Sequence, residues 1–155
     1  MRMLNSVVRV IHSCIVYLLL IPVGLLIGVP LIVALLVMPQ RALRQRSIVY
    51  WLLDKLYRSL LRITLIPQQW HGTATVPDEP AIVVANHQSS LDILVVGSLL
   101  SGAPHVWYAL AYYADHPILG FLVRRIGIQV PAEKASASAK SLLRGIKMLQ
   151  GDPRY

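Results

Sequence analysis

The chain has 155 residues, of which 55% are hydrophobic and only 14% charged, yet its net charge is +8, whereas ordinary soluble domains carry about 25% charged residues. That balance points to an anionic membrane surface and excludes a nucleic-acid binder, in which Lys and Arg interleave with polar residues rather than flanking apolar runs. The single cysteine, Cys14, excludes an internal disulfide framework, and no charged neighbour activates it as a nucleophile.

Ser13–Met38 carries no charged residue. As a helix it would be roughly 39 Å long, more than the ~30 Å hydrocarbon core of a bilayer requires, and far longer than a secretory apolar core. Pro22 and Pro30, with Gly24 and Gly28 between them, leave two geometries open: one tilted, kinked span, or a hairpin that dips in and turns near Pro22–Pro30. Arg41, Arg44 and Arg46 follow the segment and outnumber Arg2 and Arg9 before it. This predicts a cytoplasmic C-terminal side, at an inner or plasma membrane.

Residues 47–66 predict a second helix with one polar stripe, Asp54, Arg58 and Arg62 at four-residue spacing with Lys55 beside them. Tyr50, Trp51 and Tyr57 are rings of the kind found at headgroup level, so this helix is expected to lie in the membrane interface rather than to pack in a core. Residues 1–66 are therefore read as membrane anchor and interfacial helix.

A polar, turn-rich passage, HGTATVPDEP, separates the anchor from residues 70–155, where short apolar runs alternate with helical patterns. AIVVA (81–85) predicts a strand buried on both faces, residues 92–100 a short apolar helix, and HVWYALA (105–111) a strand. Pro117 suits the first turn of a helix ending near Arg124 and Arg125. IGIQV (126–130) predicts another strand, and 136–150 a helix with a basic stripe at Lys140, Arg144 and Lys147. The expected fold class is α/β: a membrane-embedded helical segment and an amphipathic helix, then a partial, mostly parallel sheet with flanking helices.

His87 follows the apolar run by two residues, at the strand end where α/β sites form. Ser89 or Ser90 can cap the next helix. Asp92 falls in its first turn, and helical side chains lean toward the N-terminus, so its carboxylate points back at the loop carrying His87. A carboxylate accepting from one imidazole nitrogen leaves the other free to take a proton, as a general base for a hydroxyl does. The pair alone is weakly specific, since a loop histidine and a helix-capping aspartate share the same spacing. A metal-dependent hydrolase would need a third ligand, which no spacing supplies.

The wider pattern is more specific. NHQSSLD (86–92) has the form N-H-x-S-x-x-D after an apolar strand and a membrane anchor, and HPILGFLVRRIG places Pro117, Gly120 and Gly127 in the pattern P-x-x-G, six residues, G. Residues 70–155 thus resemble the glycerolipid acyltransferase family, typified by 1-acylglycerol-3-phosphate acyltransferases. The resemblance implies that His87 deprotonates the free hydroxyl of a lysophospholipid, 1-acylglycerol-3-phosphate foremost. The oxygen then attacks the thioester of acyl-CoA or acyl-carrier protein. It implies that Asp92 orients His87, that Asn86 and Ser89 shape the loop, and that Gly127 belongs to the acceptor-binding block. It implies no cofactor and no metal.

The sequence departs from the family where an arginine is usual six residues after the second glycine: Glu133 stands there, with Lys134 next to it. Lys134, Arg124 and Arg125 are the candidates for an acceptor phosphate. The family's E-G-T-R block is not reached before Tyr155, so the chain is expected to be the N-terminal part of a longer acyltransferase. A truncated product that binds membrane without turnover is the alternative function; it predicts vesicle binding weakened by salt.

Overall fold

The computed structural model describes residues 2–43, 48–69, 71–72, 79, 81–117, 119–131 and 135–151. Helix α1 (Arg2–Val23) passes through a single π-turn (Gly24–Gly28) into α2 (Val29–Val37). The apolar segment is therefore one unbroken helix, not a hairpin turning at the prolines. Each proline removes a backbone N–H and crowds the carbonyl four residues earlier, and the wider turn between Pro22 and Pro30 is the kind of π-bulge that accommodates such a disturbance. Val7–Val37 is long and apolar enough to cross a bilayer.

After the short α3 (Gln40–Leu43), helix α4 (Ile48–Ile63) turns back along α2, the π-turn and α1. Its start packs on Leu31 and Leu35 of α2. At its other end the Nε2 of His12 lies 2.9 Å from the carbonyl of Thr64. One face of this helix packs inside the protein. Val49, Tyr50, Leu52, Leu53, Tyr57 and Leu61 of α4 are all buried within the protein, and only Trp51 keeps its ring exposed. Each such side chain removed from water contributes about 1.5–3 kcal/mol, so this face of α4 supplies much of the core, while Ile48, Trp51, Lys55 and Arg62 on its other side stay exposed. Leu94, Phe121, Leu122 and Ile126 pack against the same cluster, which joins the N-terminal helices to the region after residue 80.

The polar stripe also has an internal use. Asp54 is buried and accepts from Arg58 Nε at 2.8 Å. The same guanidinium donates through Nη2 to the Ser98 carbonyl at 2.7 Å and to Ser101 Oγ at 3.2 Å. Those groups lie at the C-terminal end of α5 (Leu91–Leu99), where a cation is favoured by the helix dipole. Gly97 of α5 lies against the Tyr57 ring so closely that an added Cβ would stand 2.5 Å from it. Helix α4 thus holds α5 by a close steric fit and a charged clamp.

Strands β1 (Trp107–Leu110) and β2 (Gly127–Val130) form a two-stranded parallel sheet in the register Trp107 to Gly127 and Leu110 to Val130. Between them run a 3-10 turn (Ala111–Asp115) and α6 (Leu119–Ile126); α7 (Ala135–Gly151) follows and packs on β2. The parallel α/β order is as expected, but the AIVVA strand is not. Residues 81–86 pair with no strand among the described residues, and Ile82, Val83 and Val84 are 61%, 57% and 88% exposed. An apolar run is buried on both faces only where strands pair beside it and helices cover it, and neither condition is met here.

Behind β1 a polar network is enclosed. His105 Nδ1 lies 2.8 Å from the Ala103 carbonyl, so it carries the proton and donates. The Tyr57 hydroxyl therefore donates to Nε2, at 3.4 Å, and accepts from the Trp107 indole N–H at 3.1 Å. Burial pushes the Tyr57 hydroxyl up to about 12 and holds the His105 imidazole below its ordinary 6.5. Below 6.5 the unfolded chain takes up a proton that the folded ring refuses. This contribution to stability is therefore present above that value and lost as pH falls toward the folded one. The thermal unfolding midpoint is expected to drop between about pH 7.5 and about pH 5.5, and His105→Gln is expected to flatten that slope.

Candidate active site

Helix α5 begins directly after the exposed loop 86–90, and the first turn of the helix organises that loop. Asp92 Oδ2 accepts the backbone N–H of Gln88 at 2.6 Å and of Ser89 at 2.8 Å, and lies 3.2 Å from His87 Nδ1. Ser89 contributes twice: its Oγ accepts the Leu91 N–H at 3.2 Å and its carbonyl accepts the Asp92 N–H at 3.0 Å. Ser89 is therefore the serine that caps the helix, and the Ser90 side chain makes no capping bond. Asn86 is exposed beside His87.

The two backbone N–H groups, and to a lesser degree His87, hold the Asp92 carboxyl below the ordinary carboxylate range. It is thus ionised and has no proton to give. Nδ1 of His87 is the donor in their contact, and in the neutral ring the lone pair lies on Nε2. The His87 side chain is 60% exposed and that of Asp92 32%, so Nε2 is open to an incoming molecule. The arrangement can accept one proton from a hydroxyl and return it, with the imidazolium stabilised by Asp92.

The structure brings Asn86, His87, Ser89 and Asp92 into one loop-and-helix unit. It places Gly127 elsewhere, at the start of β2, where an added Cβ would stand 2.8 Å from the Val123 carbonyl. Gly120, the other motif glycine, sits so tightly on Ala114 that a Cβ would fall on the carbonyl oxygen of that residue. Arg124 donates to the same Ala114 carbonyl. Arg125 donates through Nε to the Leu35 carbonyl at 2.9 Å and through Nη2 to the carbonyls of Leu35 and Met38, the latter at 2.9 Å. Both arginines thus donate to main-chain carbonyls, and Arg125 closes the C-terminal end of α2. Glu133 and Lys134 lie outside the described residues.

A family model described as Acyltransferase matches residues 68–152, over half of the chain. The chain belongs to the Acyltransferase family. Searches of curated proteins and of solved structures found no match. In this acyltransferase the matched region contains the whole His87–Asp92 unit, together with both strands and all of α5 to α7. The supports of that unit, Tyr57 beneath Gly97 and Arg58 on the end of α5, lie outside the match. Sequence reasoning missed them as site-positioning groups: Arg58 stood out only as part of a polar stripe with Asp54 and Arg62, and Tyr57 only as one of three amphipathic rings. No local pattern links α4 to residues forty positions away.

Proposed function

We propose that this acyltransferase moves an acyl group from a thioester, acyl-CoA or acyl-carrier protein, to the free hydroxyl of a lysophospholipid, 1-acylglycerol-3-phosphate foremost. The observation that carries the proposal is the triple convergence on Asp92 Oδ2, which fixes the tautomer of an exposed His87. Nε2 of His87 takes the hydroxyl proton as the acceptor oxygen bonds to the thioester carbonyl carbon. The C–S bond then breaks, and the departing sulfur takes the proton from the imidazolium. The products are an ester and a free thiol, with no covalent enzyme intermediate. Because the thioester is already activated, the protein's contribution is positioning and one proton transfer.

A lipid acceptor is supported by what surrounds the site. The face of α1 and α2 turned away from α4 is apolar and exposed from Val7 to Val37, so the proposal places it in the bilayer, with the catalytic region on the cytoplasmic side. The exposed Ile82–Val84 run leads straight into His87, which suits a surface that meets acyl chains. Thiol release from an acyl thioester is expected to depend on added lysophospholipid. Asp92→Asn is expected to lower it by about a hundredfold or more, because the amide no longer holds His87 in one tautomer. Full turnover in a folded Asp92→Asn protein would remove the orienting role, and thiol release indifferent to lysophospholipid would remove the acceptor class.

A further inference from the structure

A second polar feature stands apart from the 86–92 loop. A groove of about 300 Å³ opens where α3 and α4 meet β2 and α7; its lining includes Arg124, Arg125 and Arg144 together with Leu43, Tyr50 and Met148. It contains no residue of the His87 loop or of α5. Among the described residues no carboxylate lies within ion-pair distance of any of the three guanidiniums. Arg125 is held by the Leu35 and Met38 carbonyls, which fixes the groove at the end of the apolar helix. Among the described residues Arg124 bonds to the Ala114 carbonyl and Arg144 makes no hydrogen bond or ion pair, so both retain donors that can face a ligand.

Three cations gathered without an anion in a concave site repel one another and favour an anionic ligand. Planar guanidinium forks match the oxygens of a phosphate group. The volume lies at the small end of ligand sites, which run from about 300 to 1,000 Å³; it admits a headgroup but not acyl chains. With the helix Val7–Val37 in the bilayer, as proposed above, the groove lies at headgroup level. We infer that it binds the phosphate of an anionic membrane phospholipid, whose chains stay in the bilayer, and so fixes the height of the catalytic region over the surface. Arg124 and Arg144 grip the phosphate and Arg125 adds charge while anchoring α2.

The inference rests on the membrane reading but not on catalysis, and its test reads no turnover. The full chain in neutral detergent is titrated by calorimetry with short-chain phosphatidylglycerol, short-chain phosphatidylcholine and inorganic phosphate. Phosphatidylglycerol is expected to saturate one site and to bind more tightly than the other two. The double variant Arg124→Gln/Arg144→Gln is expected to weaken it about tenfold or more. Lys140→Gln/Lys147→Gln removes the same charge from exposed positions outside the groove and is expected to change affinity less than about twofold. Arg144→Gln alone, at an exposed side chain, gives a partial loss in a protein whose folding is not in question. Equal weakening by the arginine and lysine pairs, or binding unchanged in the arginine pair, would overturn the site. Inorganic phosphate binding as tightly as the lipid, with the same arginine dependence, would assign the groove to a soluble phosphate and overturn the lipid source.

Discussion

Replacing His87 by alanine is expected to lower acyl transfer by about a hundredfold to ten-thousandfold while leaving the fold intact. The side chain is exposed and hydrogen-bonds Asp92, so its loss opens no cavity. Asp92 keeps the Gln88 and Ser89 N–H groups, which hold the loop without the imidazole. The defect should therefore appear in turnover and not in the binding of either substrate. Released thiol measured against acceptor concentration distinguishes the two, with the thermal midpoint as a check on folding. A His87→Ala protein that turns over at the parental rate would dispose of the general base. Acidification bears on the same unit with a defined sign. The depressed Asp92 carboxyl contributes to loop stability above the ordinary aspartate value of 3.8, and that contribution is lost as pH falls through its folded value. The loop geometry is accordingly expected to persist in mild acid.

Gly120→Ala is expected to cost about 2–3 kcal/mol of stability, at the upper end for overpacking, because the new methyl meets main chain rather than a side chain that could rotate away. The Ala114 carbonyl that it would strike also receives Arg124, and Gly120 donates its own N–H to the His116 carbonyl at 2.8 Å. Relief would have to move the 3-10 turn away from α6, and with it the crossover between the two strands. Denaturant or thermal unfolding measures the loss, and activity should fall only as far as the folded fraction does. An unchanged midpoint would show that the turn yields and that the close approach is not a constraint. This tight approach gives a physical reason for glycine at a position that the sequence could mark only by pattern.

Much of the local structure was legible. The predicted helices at 92–100 and 136–150 appear as Leu91–Leu99 and Ala135–Gly151, and the predicted strands at 105–111 and 126–130 appear as the shorter Trp107–Leu110 and Gly127–Val130. The geometry of His87 and Asp92 also followed from sequence. Both lie within six residues of one another, and the backward lean of a side chain in a first helical turn does not depend on distant parts of the chain. Two features were not legible for a common reason. AIVVA has the composition of a buried strand, yet pairing requires a neighbour, and composition does not supply one. Residues 48–63 have the stripe and the rings of an interfacial helix, yet the same amphipathic pattern suits a helix packed against others. Which one forms depends on what lies alongside, and here α2 and α5 do.

The sequence by itself determined the apolar N-terminal helix, the order of elements after residue 90, and a histidine and aspartate able to meet across one turn. All of these depend on periodicity or on contacts between near neighbours. Only the tertiary structure decided that one face of α4 supplies much of the core, that Arg58 and Tyr57 hold α5 in place, that Arg125 closes the end of α2 ninety residues earlier, and that three arginines line one groove. Those contacts join residues far apart in the chain, whose meeting is set by how whole helices pack and not by any pattern along them.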